Sequence, residues 1–240
     1  VLAEDRITLK TQFQDILPKY LDLPDGTHSG ISWEIMQLIE RKSPIRFSYV
    51  AEHVPLIRVA NDLSRGVTDI QVGIQKTPER ERTMVFGEAL YRVQTVAVCR
   101  SDDRINFTSL ADLGHLGPQQ GLILTVWGTG IAQILAVIPG LHIDDQAKSA
   151  EAGLKKLVAK RGRVFIYHNL STVYLLRNRE FADQLRLVDI EYDNADLDDA
   201  WQYVCFSRNV SPAVMEMVNQ VIREARQNGE LAAITDKYLK

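Results

Sequence analysis

The stretch from Asp69 to Tyr91, DIQVGIQKTPERERTMVFGEALY, constrains the fold of this chain more than any other. Ile70, Val72 and Ile74 alternate with other residues, the pattern of a buried strand. Thr77-Pro78-Glu79-Arg80 then places a good helix N-cap residue before a proline suited to the first helical position. A strand therefore ends in a short helical turn, and that turn carries Arg80 at the strand's carboxyl end. Ligands of open α/β sheets bind outside the carboxyl ends of strands, and Arg clamps a carboxylate through two parallel hydrogen bonds. Taken alone, Arg80 fits a solvated surface charge as well as a clamp, as do Glu81 and Arg82.

The residues before this stretch set up the layers around it. Ile7 to Thr11 alternates as a first strand. Gly30 to Lys42 places Ile31, Ile35, Leu38 and Ile39 at helical spacing, and Ile45 to Val50 reads as a second strand. Pro55 to Arg65 carries a helical stripe of Leu56, Val59, Ala60 and Leu63, closed by Gly66. Strand–helix–strand–helix–strand order predicts a mostly parallel sheet covered by helices. Tyr91 to Cys99 is a long strand followed by a polar break at Arg100–Asp103. Leu122 to Trp127 is a strand leading through Gly128-Thr129-Gly130 into an apolar helix ending near Val137. Lys148 to Lys160 is helical, Arg163 to Tyr167 and Leu185 to Ile190 are strands, and Glu191 to Asp199 reads as an exposed acidic loop. Pro212 to Gln227 is a helix with Val214, Met217, Val218, Val221 and Ala225 on one face.

Together these features resemble the family 3 extracellular solute-binding proteins, the amino-acid receptors of bacterial uptake systems. The resemblance rests on Asp69, the strand from Ile70 to Ile74, Thr77 with Arg80, Val85-Phe86, Tyr91 and the apolar strand from Val93 to Cys99. It extends to the helix Gly30–Lys42, with Glu34 where Asp is usual, to Ser109-Leu110-Ala111-Asp112-Leu113, and to a closing pattern at Gly229, Leu231, Ile234, Lys237 and Tyr238. It implies a two-lobed α/β fold of the type II periplasmic-binding-protein kind, each lobe a mostly parallel sheet flanked by helices. Residues 1–100 and 204–240 would form the first lobe and residues 101–203 the second, joined by two hinge crossings. The ligand would be held in the cleft between lobes and buried by hinge closure.

The same resemblance assigns site residues. Arg80 would hold the ligand's carboxylate, with Gln75 and Thr77 beside it on the motif. The backbone of Gly128, Thr129 and Gly130 would donate to the same anion, consistent with the attraction of helix N-termini for negative charge. An aromatic from the first loop, Phe13 or Tyr20, would pack on the ligand, and His168 or Asn169 would stand at its far end. Trp127 and Tyr167 offer further stacking faces. Amino-acid receptors place an Asp or Glu near His168 to hold the ligand's ammonium; this chain has no carboxylate between Arg163 and Arg179. A buried ammonium without a counter-charge is costly, so the sequence points to a carboxylate-bearing ligand that need not be a standard amino acid.

Other function classes find little support. A net charge of -3 argues against a nucleic-acid surface. No apolar run reaches the roughly 18–20 residues that span a bilayer. Two cysteines and five scattered histidines make no metal-ligand spacing, and no metal or cofactor is expected. The Gly128–Gly130 turn has Gln133 where a dinucleotide fingerprint needs its third Gly or Ala. Val1-Leu2-Ala3 reads as the tail of a signal-peptidase site before Glu4-Asp5, though a trimmed start fits equally well. The expected protein is exported, periplasmic and monomeric, with an ABC permease as partner. Cys99 and Cys205 fall on the two presumed crossings, where either a disulfide or two buried thiols fit. Two rivals remain on the same fold: a sensory or interaction module, and a dehydratase using His168 or Glu34 as acid or base.

Overall fold

The computed structural model describes residues 6–192 and 194–239. The start at Val1–Asp5, read above as the end of a leader, lies outside the described residues. The chain forms two compact units, one up to Arg92 and from Trp201 onward, the other Val93–Ala200.

The first unit opens with β1 (Ile7–Gln14), a two-strand hairpin β2 (Leu21–Asp22) and β3 (His28–Ser29), and helix α1 (Ile31–Lys42). β4 (Ile45–Val54), α2 (Leu56–Ser64), β5 (Ile70–Gln75) and the short α3 (Pro78–Glu81) follow. β1 and β4 pair in parallel, Leu9 opposite Phe47. Ile31, Ile35, Leu38 and Ile39 on α1 and Val59 and Leu63 on α2 are fully buried, as their helical spacing demands. β6 (Val85–Arg100) carries the chain out of this unit.

The second unit continues with α4 (Leu110–His115), α5 (Gly117–Gln120), β7 (Ile123–Val126), α6 (Gly130–Val137), β8 (Ile143–Ala147) and α7 (Ala150–Val158). Then come β9 (Val164–His168), α8 (Asn169–Leu176), α9 (Arg179–Ala182), β10 (Leu185–Val188) and α10 (Ala195–Asp198). β7 pairs in parallel with both β8 and β9. The end of β6 runs antiparallel to β9 and β10, Val98 facing Phe165 and Leu187. Ser109 starts α4 through a reciprocal capping box with Asp112. β11 (Asp199–Phe206) returns the chain to the first unit, where it pairs antiparallel with β5. α11 (Pro212–Gln227) and α12 (Glu230–Leu239) complete that unit.

The two crossings are thus β6 and β11. They change units at Arg92/Val93 and Ala200/Trp201, where the sequence reading placed the boundaries at 100/101 and 203/204. The shift at the first crossing has a plain cause: the second half of β6 is bonded to β9 and β10 and so belongs to their sheet. The stretch Glu191–Asp199 is more ordered than its acidity suggested. It contains α10 with Leu197 fully buried, and Glu191 bonds through its backbone to Thr108 and Leu110. Cys99 and Cys205 are both buried free thiols; burial pushes the Cys99 thiol up to about 12 and raises Cys205 as well.

Candidate functional site

In the first unit the site builds from the carboxyl end of β5. Thr77 caps α3 with its side-chain oxygen, accepting from the Arg80 backbone N–H at 3.3 Å. Pro78 occupies the first helical turn. The result is a fixed turn that folds Arg80 inward. Arg80 is 5% exposed, whereas Lys76, Glu79, Glu81 and Arg82 around it are exposed. Its Nη1 donates to the Gln75 carbonyl at 2.8 Å, which fixes the guanidinium against the end of the strand. Of the charges in the TPER segment, the one singled out by sequence is therefore the one the fold buries.

The same region holds a residue that sequence reading missed. Lys19 is 2% exposed. Its Nζ donates to Gln14 Oε1 at 2.9 Å, to the Gly73 carbonyl, and to Gln202 Oε1 at 3.3 Å. Gln14 ends β1, Gly73 lies on β5 and Gln202 on β11, so one ammonium ties three strands of this unit together. The Lys19 backbone is held too, its carbonyl accepting from Ser32 and Trp33 at the start of α1. Burial pushes the Lys19 ammonium down to about 7, the Arg80 guanidinium adds to the lowering, and the Cys205 thiol opposes it. A signal was present: Lys19 is set within Ile16-Leu17-Pro18 and Tyr20-Leu21, an apolar setting unusual for a surface lysine. Gly73 makes the arrangement possible. Its φ is 89°, and a Cβ there would stand 2.8 Å from the Tyr91 hydroxyl.

Phe13 and Tyr20 are both fully buried and stack on one another with ring centroids 4.5 Å apart. Tyr49 stacks on Phe13 at 4.9 Å and is 38% exposed, so it presents the open edge of this aromatic cluster. Glu34 accepts from Lys237 Nζ and from the Tyr238 hydroxyl, both at 2.5 Å. The Tyr238 oxygen in turn accepts from the Gly30 N–H at 3.0 Å. The terminal Lys-aromatic pair is thus an anchor for the start of α1, and Glu34 serves it.

In the second unit, parallel β7, β8 and β9 deliver their following residues to one edge of the sheet. Gly128 turns the chain with φ 71°, and Thr129 caps α6. The Thr129 hydroxyl donates to the Val126 carbonyl at 2.7 Å and accepts from Ala132 N–H at 3.2 Å. Its side chain therefore holds the turn, and what remains for an anion is the backbone of the first helical turn, beginning at Gly130. His168 caps α8, its Nδ1 accepting from Ser171 N–H at 3.3 Å. Asn169 Oδ1 accepts from the Gln94 N–H at 3.1 Å and ties α8 to β6. Trp127 is 37% exposed, with Lys148 Nζ 3.6 Å from its ring centroid. Tyr167 and His168 are both buried, their ring centroids 3.9 Å apart in a tilted pair. One edge of this unit thus gathers the 128–130 turn, Trp127, Lys148, His168 and Asn169.

Among the described residues no group of three or more His, Cys, Asp or Glu is placed to hold a metal, and no helix is long and apolar enough to cross a membrane.

Comparison with known proteins bears on this arrangement. The profile of the bacterial extracellular solute-binding proteins, family 3, matches residues 14–240. Among solved structures, the substrate-binding protein of an amino acid ABC transporter superposes with a TM-score of 0.79 at 19% identity, covering 96% of this chain and 98% of its own. An ancestral amino-acid-binding protein, a precursor of cyclohexadienyl dehydratase, gives 0.80 at 16% identity over 97% and 96%. An arginine-specific periplasmic binding protein of Salmonella typhimurium gives 0.79 at 16% identity over 97% and 99%. No curated protein sequence matches. At these identities the structural likeness speaks for the fold, a two-unit α/β architecture of mostly parallel sheets flanked by helices.

Proposed function

Because this chain belongs to the bacterial extracellular solute-binding proteins, family 3, we propose that it captures a small carboxylate-bearing solute, an amino acid or a related compound, for an ABC permease. The observation that carries this reading is the burial of Arg80 at the carboxyl end of β5, on a turn capped by Thr77. A surface charge would be solvated; a guanidinium folded inward on a fixed turn is preorganised for a carboxylate. The 128–130 turn at the head of α6 is the second anion-directed element. Tyr49 and Trp127, each partly exposed, are the aromatic faces open to a solute, with His168 and Asn169 on the same sheet edge as Trp127. The protein works outside the cytoplasm, as a monomer, and releases its solute to the permease.

Capture rather than turnover is the reading because the two groups that a dehydratase would use as acid or base are engaged in holding the fold. Glu34 anchors Lys237 and Tyr238, and His168 caps α8. The test is a thermal-shift screen with amino acids, amines and small carboxylates, followed by calorimetry on wild type and Arg80→Ala. A solute at ~100 times its Kd adds about 2.7 kcal/mol, roughly 2–4 °C per kcal/mol for a chain of this size. Arg80→Ala is expected to weaken binding by about 1.5–3 kcal/mol, the worth of a charged hydrogen bond. Unchanged affinity for a carboxylate solute removes Arg80 from the site.

A further inference from the structure

The second unit holds a cavity of about 470 Å³ whose whole lining lies within Val93–Ala200. Four of the lining residues are cations, Arg100, Arg104, Lys160 and Arg163, and none is acidic. The others are three amides and Gly162, so no apolar side chain lines it. The cavity sits at the amino ends of β7 and β9. Arg163 immediately precedes β9, and its N–H donates to the Leu122 carbonyl just before β7 at 2.9 Å. The 128–130 turn, His168 and Asn169 lie at the opposite, carboxyl ends of these parallel strands. The cavity is therefore separated from the candidate solute edge by the length of the strands, roughly 13–17 Å.

Two carboxylates pair with the four cations. Asp103 accepts from Nε and Nη2 of Arg163, each at 3.0 Å, and stands 3.7 Å from Arg100. Asp102 lies 3.6 Å from Arg100 and 3.8 Å from Lys160. Arg186 adds a further cation, donating to the Asp103 backbone carbonyl at 3.3 Å. Positive charge is thus in excess in a concave, polar setting that focuses its field. Arg163 also fixes the walls, donating to the Gln120 carbonyl at 3.1 Å, the Arg104 carbonyl at 3.2 Å and Asn106 Oδ1 at 3.0 Å. Arg100 Nη1 covers the Leu157 and Gly162 carbonyls at the end of α7, which would otherwise repel an anion. On this fixed frame the exposed side chains of Arg104, Gln119 and Gln120 make no hydrogen bond or ion pair with the described residues, so their donors are available.

Lys160 supplies an independent observation. Among the described residues it is the one non-glycine residue with a positive φ, 59°. It follows the C-cap of α7, where glycine is the ordinary choice. The chain places a lysine there against backbone preference, and so sets an ammonium at the rim of the cavity.

We propose that this cavity is a second binding site, for a phosphate-bearing polyanion, with Arg104 and Lys160 as contact residues and Arg100 and Arg163 as the fixed positive floor. Guanidinium groups suit phosphate oxygens, and a diphosphate offers oxygens in several directions to donors that converge from separate segments. A cavity of this size accommodates a small molecule, and the absence of apolar lining disfavours a protein partner, whose interface would have an apolar centre. The phosphate comes from a soluble compound or from a lipid headgroup, and the test separates the two.

The test is calorimetry with pyrophosphate at about 50 mM salt on wild type, Arg104→Gln, Lys160→Gly, the double variant, and Arg65→Gln, which removes an exposed charge of the first unit. Wild type should bind with a Kd below about 1 mM. Each single variant in the cavity should weaken binding about threefold, and the double variant about tenfold, while Arg65→Gln binds as wild type. Lys160→Gly should hold or raise the melting temperature, so its lost affinity is not a folding defect. No binding of pyrophosphate, or unmoved affinity in the double variant, overturns the proposal. Equal weakening by Arg65→Gln also overturns it, as diffuse attraction. Tighter binding of hexaglutamate than of pyrophosphate overturns it in favour of an acidic protein partner. Given pyrophosphate binding, cosedimentation with phosphatidylcholine vesicles containing phosphatidic acid, lost in the double variant, supports the lipid headgroup; no cosedimentation supports a soluble phosphate compound.

Discussion

Substituting Lys19 by methionine keeps an unbranched side chain of similar length in the same buried slot and removes its charge. In the folded protein the ammonium is pushed from 10.5 down to about 7, first by burial and then by Arg80. The sign follows from proton counting. Between about pH 7 and 10.5 the unfolded chain keeps the Lys19 proton and the folded chain releases it, so the unfolded state binds more protons and stability rises with pH. At about 1.4 kcal/mol per pH unit, the full gap amounts to about 5 kcal/mol of pH-dependent stability. Urea unfolding at pH 7.5 and 9.5 samples part of this window. There wild type should gain about 2 kcal/mol relative to Lys19→Met, or roughly 4–8 °C in Tm. The buried thiols of Cys99 and Cys205 act in the opposite sense, since their raised values favour the unfolded state as pH climbs past the ordinary thiol range. They are present in both proteins and cancel in the comparison. The absolute stability of Lys19→Met at neutral pH is a poorer measure, because Gln14, Gln202 and the Gly73 carbonyl each lose a donor. Parallel pH profiles of the two proteins, within about 0.5 kcal/mol, would refute the assignment of Lys19 as a buried ammonium without a counter-charge.

Three further outcomes follow from the geometry. Gly73→Ala forces a side chain into a backbone with φ 89°, against the Tyr91 hydroxyl; it should cost about 1–3 kcal/mol in chemical denaturation and weaken solute binding with it. Tyr238→Phe removes the hydroxyl that joins Glu34 to the Gly30 N–H; a loss of about 1–3 kcal/mol is expected, and hydrogen exchange should quicken at the start of α1. A thiol titration in denaturant without reductant should return two free thiols, as Cys99 and Cys205 are both unpaired with one another in the structure; fewer would indicate a bridge.

Much of the architecture was legible because it is governed by local periodicity. The buried face of α1 follows from Ile31, Ile35, Leu38 and Ile39 at helical spacing, and α11 was bounded by Pro212 and Gln227 from its apolar stripe alone. The Thr77–Pro78 cap needs only neighbouring residues, so the turn bearing Arg80 was readable in advance. β8 was missed because Ile143-Asp144-Asp145-Gln146-Ala147 has little apolar alternation; its place is set by parallel pairing with β7. α8 was missed for a related reason: His168, expected as a ligand neighbour, is spent as its N-cap.

The sequence by itself determined the strands and helices with strong periodicity, the family, and Arg80 as the guanidinium at the end of β5. These depend on residues close together in the chain. Only the tertiary structure decided which charges are buried and what surrounds them. Lys19 meets Gly73 and Gln202 across separations of 54 and 183 residues, and no local pattern encodes such a meeting. Desolvation, which moves the Lys19 ammonium down to about 7, is a property of the packed surroundings and exists only once distant strands have closed over the side chain.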